Sequence, residues 1–339
     1  MRRRSLALAR PLVTSYGAIF ERHLLAVTLT DSTGAYGHGE CAPLPAYDGV
    51  GLERAERALE RYADALARCG EPPDAQLLQA CRSADPLPVA LAAVDLALWD
   101  RAGRLSGKPV AALLGERPCR ELAVNATLVA TDADAAGEEA AQAARAGFGC
   151  LKLKVGTDDD DARVAAAREG AGAEMALRLD ANGAWSVPAA ERALRSLAPL
   201  GLELVEEPVH GLDAVRALRE RVHVRIAIDE TAAEHGALAS GAAHAVCLKL
   251  SRCGGISGLI AAAALVRASG AQPYVASTLD GPVGVAGALH AAAALCEQGP
   301  LPHCGLATLG LFAGITDQLP AVGGRIAVPT RPGLGVDPL

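Results

Sequence analysis

The chain has 339 residues, 51% of them hydrophobic, and a formal net charge of −7. That length can bury a large core and suits one big domain with a smaller module, while the acidic balance leaves no electrostatic footprint for nucleic acid. The long Ala-rich runs are broken by charge or Gly before about 18 residues, so no membrane-spanning helix is expected.

The start, MRRRSLALARPL, imitates a signal peptide. Arg10 and Pro11 cut its apolar stretch short of the roughly 7–15 residues such a segment needs, so a first β-strand is expected instead. Nine scattered cysteines, an odd number, read as reduced thiols of a cytoplasmic protein. LLAVTLT, a turn at DSTG and AYGHGE predict a hairpin, and GLERAERALERYADALARC predicts an amphipathic helix with i,i+3 and i,i+4 charge pairs. ADPLPVALAAVDLALWDRAGRLSGKPV predicts a mostly buried helix, opened by prolines and closed near Gly107 and Pro109. Residues 1–118 therefore read as an α+β module.

Beyond residue 119 strands and helices alternate. LAVNATL, GCLKLKVG, MALRLDANG, LELVEEP, VRIAIDE, AVCLKLS, AQPYVAS and the weaker LPHCGLA predict eight strands, with Ala-rich helices between them. This is the pattern of a (β/α) barrel over residues 119–313. The Gly/Pro-rich stretch 314–339 is expected to return over the first module.

Only four lysines stand against twenty-eight arginines, and three of the four, Lys152, Lys154 and Lys249, lie in apolar strand-like runs. A buried amine can lose its proton and act as a base, which a guanidinium does not do. Each strand from the second to the sixth ends in charge: Lys152 and Lys154, then Asp180, Glu206, Asp229 and Lys249. Successive intervals from Lys154 are 26, 26, 23 and 20 residues, one βα unit each, so these residues share the C-terminal rim where barrel enzymes place their chemistry. Lys152 and Lys154 are i,i+2 and face the same way, and mutual repulsion together with burial is expected to lower at least one amine pKa. Asp180, Glu206 and Asp229 converge from consecutive strands, an all-oxygen set suited to one hard divalent cation such as Mg²⁺. A cation beside a lysine base suits removal of the weakly acidic proton next to a carboxylate. The bland alternative is a rim of salt bridges.

KLKVG, RLDANGAW, LVEEP, AIDET and LKLSRCGG, in this order, resemble the muconate-lactonizing subgroup of the enolase superfamily. GAYGHGECAPLP and LAAVDLALWDRAGRLSGKPVAALLG extend the likeness through the first module. The resemblance implies a modified TIM barrel of (β/α)7β type, with an N-terminal α+β capping domain completed by the C-terminal segment. It implies that Asp180, Glu206 and Asp229 bind Mg²⁺, with Glu206 the ligand rather than Glu207. Lys154 would be the base on one face of the substrate and Lys249 would stand on the other, with Lys152 tuning Lys154 or touching the substrate carboxylate.

TSYG with Arg22, GECAPLPAY, STLDGPVG and HCGLATLGLF look most like the o-succinylbenzoate synthases of menaquinone synthesis, which implies dehydration of a succinyl-bearing cyclohexadiene carboxylate. The alternatives are an N-succinylamino acid racemase, suggested by Arg252 three residues after Lys249, or a dipeptide epimerase. Dipeptide epimerases usually carry an Asp-x-Asp pair near the last strand, where this chain has Gly305, Leu306 and Ala307. From other classes, a Schiff-base aldolase using Lys249 and a barrel that only binds a ligand are weighed as well. Arg252, Ser277, Asp280, Thr14, Tyr16 and Tyr47 are candidate substrate contacts. The expected partner is a small-molecule carboxylate, with neither nucleic acid nor membrane, and a homo-oligomer is left open.

Overall fold

The strands Arg2–Thr14, Gly17–Thr30 and Tyr36–Cys41 pair antiparallel in chain order. They open a computed structural model that describes residues 1–70, 73–157 and 159–339. The signal-like start is thus the first strand, and Leu6, Leu12, Leu24 and Leu25 turn inward from the first two. Full burial of each such side chain contributes about 2 kcal/mol. The helix Leu52–Cys69 buries Ala55, Ala58, Leu59, Tyr62 and Ala65, the stripe that its 3.6-residue period places on one face. The helix Pro88–Ser106 lies against Tyr36–Cys41 so closely that a Cβ on Gly37 or Gly39 would overlap the carbonyl oxygen of Ala97 or Ala93.

Seven parallel strands follow in sequential order, Ala126–Leu128, Cys150–Lys154, Ala176–Asp180, Leu202–Glu206, Ile226–Ile228, Ala245–Leu248 and Gln272–Val275. Parallel bridges from Ala276 to Gly305 and from Val124 to Cys304 close the ring, so the weak LPHCGLA signal supplies the eighth wall. This is the modified barrel with its capping domain. The predicted LAVNATL strand is split. Ala126–Leu128 joins the barrel, whereas Glu121–Ala123 pairs antiparallel with Arg325–Ala327 of the C-terminal hairpin. After the fifth strand the connection is two short 3₁₀ turns, Glu230–Ala233 and Ala237–Ala239, rather than an α-helix.

The helix Pro282–Leu295 is buried along its whole length, which its all-round apolar sequence requires. Its small residues let the Pro88–Ser106 helix approach, and a Cβ on Gly287 would overlap Leu96. The C-terminal stretch returns to both parts. Val110 N–H donates to Gly333 O at 3.0 Å, Leu334 N–H to Asp100 Oδ1 at 2.7 Å, and His290 Nε2–H to Leu334 O at 3.1 Å.

Candidate active site

Parallel register lines up the charged residues. Lys154 is the Cα partner of Asp180, and Asp180 of Glu206, across the second, third and fourth strands. Asp229 and Lys249 stand one residue past the fifth and sixth strands. Lys152 Nζ lies 2.8 Å from Asp180 Oδ2 and 2.7 Å from Glu206 Oε2, and Lys154 Nζ is 2.6 Å from Asp180 Oδ2. Lys249 Nζ reaches Asp229 Oδ2 at 2.5 Å. All three carboxylates are buried.

The electrostatics follow from this crowding. Burial pushes the Glu206 carboxyl up, and the neighbouring charges of Asp180 and Asp229 add to the effect. Burial acts the same way on Asp180, but the Lys152 and Lys154 amines outweigh it and hold that carboxyl below its usual value. The expected fall of a lysine pKa is not seen at Lys152. Burial lowers its amine, yet Asp180 and Glu206 together hold it above the ordinary lysine value, because attraction to two carboxylates exceeds repulsion between amines. The donor set fits a hard cation. A positive nitrogen already sits between Asp180 and Glu206, and Glu206, Asp229 and Cys247 offer ligand atoms within 4.8 Å of one another. Carboxylate oxygens suit Mg²⁺, and the thiol of Cys247 does not.

Several side chains that position this set were not singled out from sequence. Tyr274, from the seventh strand, donates its O–H to Glu206 Oε2 at 2.6 Å inside the barrel. Asn182 accepts from Lys154 Nζ at 2.8 Å and donates to Glu230 Oε1 at 2.9 Å. Its place two residues after Asp180 is the signal that could have found it. Glu207 turns away from the rim with φ 41° and receives the N–H groups of Asp229 (2.8 Å) and Thr231 (3.0 Å), so it fixes the turn that presents Asp229. A left-handed non-Gly residue costs on the order of 1–3 kcal/mol, which these bonds offset.

Both Lys154 and Lys249 line a cavity of about 100 Å³ together with Lys152, Asp180 and Asn182. Thr14, Tyr16, Tyr47 and Ser277 also line it. The Thr14 hydroxyl is engaged in its own turn, donating to Gly17 O at 3.0 Å, and Tyr16 O–H donates to Glu230 at 3.2 Å. Tyr47 sits in the one-turn helix Pro45–Asp48 at the end of a loop of the cap and donates to Asp229 Oδ1 at 2.6 Å. Lys249 Nζ lies 4.0 Å from its ring centroid and the Arg252 guanidinium 4.2 Å from it. Buried Arg22 ties this loop to the barrel by donating to Ala42 O, Pro43 O and Leu279 O.

Two candidate contacts are not brought to this cavity. Asp280 is buried beside Arg22 and Glu40 and accepts from Thr278 N–H at 3.3 Å, because the chain turns inward there to start the Pro282–Leu295 helix. Arg252 lies behind Tyr47, in a neighbouring cleft of about 600 Å³. At the opposite end of the strands Cys150, Glu203 and His303 also cluster. There Arg178 donates to both Glu203 oxygens, at 2.7 and 3.0 Å, and supplies the positive charge.

Residues 135–339 match the family described as Enolase C-terminal domain-like, and residues 1–115 match the Mandelate racemase / muconate lactonizing enzyme N-terminal domain. The chain belongs to the enolase superfamily, muconate-lactonizing subgroup. It is 29% identical to the N-succinyl-L-Arg/Lys racemase of Bacillus cereus over 289 residues, 82% of this chain and 78% of that one. It is 33% identical to a hydrophobic dipeptide epimerase of Roseobacter litoralis over 277 residues, 78% of each. The dipeptide epimerase of Enterococcus faecalis, solved with Mg and L-Leu-L-Tyr, superposes with a TM-score of 0.89 at 26% identity, covering 98% of this chain and 97% of that one. These relatives are racemases and epimerases, so they favour that reading over the o-succinylbenzoate synthase expected first.

Proposed function

We propose that the chain racemises N-acylated amino acids, with Lys154 and Lys249 exchanging the α-proton from opposite faces. Asp180, Glu206 and Asp229 would hold one Mg²⁺. When bound, that cation supplies the positive charge that makes a proton beside a carboxylate removable at neutral pH. Lys154 Nζ takes the proton on one side, and Lys249 Nζ, steadied over the Tyr47 ring, delivers one to the other. Lys152 keeps a fixed positive charge toward the substrate carboxylate, and Asn182 orients the Lys154 amine.

The observation that carries the substrate class is the cavity wall. Beyond the lysines it is made by Leu12, Ile19, Leu44, Leu279 and Leu311 with the hydroxyls of Thr127, Ser277 and Thr308. Among the described residues lining it, Asp180 is the one carboxylate. A free α-ammonium would lose its hydration there without a counter-charge, which is costly. A nitrogen blocked as an amide carries no such penalty. Racemisation assays with Mg²⁺ on N-succinyl and N-acetyl amino acids, run beside dipeptides with a free amino terminus, test this. The expected result is kcat/KM at least about 100-fold higher for the acylated set, since an unpaired buried charge costs several kcal/mol. Equal or better turnover of free dipeptides would overturn the substrate class.

A further inference from the structure

On the barrel face away from the lysines, the linker between the two modules runs along the end of the buried Pro282–Leu295 helix. Cys119 N–H donates to Ala293 O at 3.1 Å, and Arg117 N–H donates to Glu297 Oε1. This pairing sets the side chain of Cys119 against that of Cys296, the residue that begins the closing 3₁₀ turn. Both cysteines are half-buried, and Cys119 lines an open groove of about 660 Å³ with Arg117, Pro118 and Val328. Cys296 is not part of that lining, but as a half-buried residue it too keeps surface in solvent that a small oxidant can reach. The third thiol of the neighbourhood, Cys304, is fully buried in the backbone bridge that closes the barrel.

The geometry points to Cys119 and Cys296 as a reversible dithiol–disulfide pair, oxidised by peroxides, that staples the intermodule linker to the buried helix. Cys296 is the sulfur that reacts first. Contact with Cys119, the backbone N–H of Leu301 and the charges of Arg267 and Arg325 together favour its thiolate. A thiolate is the nucleophile in such chemistry. It attacks a peroxide oxygen, an S–O bond forms as the O–O bond breaks, and the alkoxide or hydroxide leaves with a proton, giving a sulfenic acid. Cys119 sulfur then attacks, the S–S bond forms, the S–O bond breaks and water leaves. In sum two thiols give up two electrons and two protons, and the peroxide is reduced to water and an alcohol or a second water.

The test treats the full chain with hydrogen peroxide, followed by non-reducing peptide mapping and a melting curve with and without dithiothreitol. The expected result is a Cys119–Cys296 linked peptide, released by dithiothreitol, with a higher melting temperature in the linked form. Cys119→Ser should lose the link and leave Cys296 open to over-oxidation, while Cys296→Ser should leave Cys119 reduced. Recovery of Cys296 joined to Cys304, or of Cys296 as a sulfinic acid in wild type with Cys119 still free, would overturn the assignment. Because neither cysteine lines the lysine cavity, racemisation by the reduced Cys119→Ser variant should equal wild type.

Discussion

Tyr274 shows how much the candidate site depends on side chains behind it. Its hydroxyl restrains Glu206 from within the barrel, on the same Oε2 that the Lys152 amine reaches at 2.7 Å, and its ring packs 5.3 Å from the Arg178 guanidinium. Tyr274→Phe keeps the ring and deletes one donor, so Mg²⁺ affinity measured by calorimetry should fall by about 10–100-fold, the range for lost outer-shell partners. Unchanged affinity would mean that Glu206 is held without it. At this scale the sequence was readable where chemistry coincides with spacing. Lys154, Asp180, Glu206, Asp229 and Lys249 recur once per βα unit, and the barrel turns that period into one rim. Tyr274 and Asn182 were not readable, because what they do is set by neighbours on other strands. Asp280 lies off the cavity for the same reason, since its position at a strand end says nothing of the inward turn that follows.

The Pro88–Ser106 helix joins cap to barrel, caught between the strand Tyr36–Cys41 and the helix Pro282–Leu295. Contact with the strand is backbone to backbone at Gly39. Gly39→Ala should therefore destabilise the fold by roughly 1–3 kcal/mol, the usual cost of overpacking, read as a lower denaturant midpoint with unchanged slope. An unaltered midpoint would show that the helix can shift without cost. Periodicity made this helix and Leu52–Cys69 plain in the sequence, because each carries an uninterrupted apolar pattern of sufficient length. The strand Glu121–Ala123 was merged with Ala126–Leu128, since its partner, Arg325–Ala327, lies some 200 residues away and leaves no local mark.

At the scale of the whole molecule, His290 links the buried helix to the end of the first module and to the C-terminal return. Its Nδ1 accepts from Ala111 N–H and its Nε2–H donates to Leu334 O, each at 3.1 Å, which fixes a neutral ring. Burial pushes its pKa down from 6.5 to about 4. Between those values the unfolded chain binds a proton that the folded chain refuses, so this contribution is complete above about pH 6.5 and is lost as pH falls toward about 4. The loss is on the order of 3 kcal/mol. Melting temperatures from pH 8 to 4.5 should fall on the acid side, and a folded His290→Gln variant should show a shallower fall; identical slopes would assign the acid sensitivity to other groups.

The central claim is that two lysines handle one proton from opposite faces, and isotope exchange at the α-carbon tests it most directly. Proton NMR in D₂O with Mg²⁺ would follow each enantiomer of an N-acylated amino acid with wild type, Lys154→Arg and Lys249→Arg. The account predicts exchange with racemisation for wild type. Each variant should lose racemisation by several orders of magnitude yet still wash out the α-proton of one enantiomer, a different one for each variant, because the remaining lysine works its own face. Racemisation that survives either substitution, or washout of both enantiomers by a single variant, would contradict it.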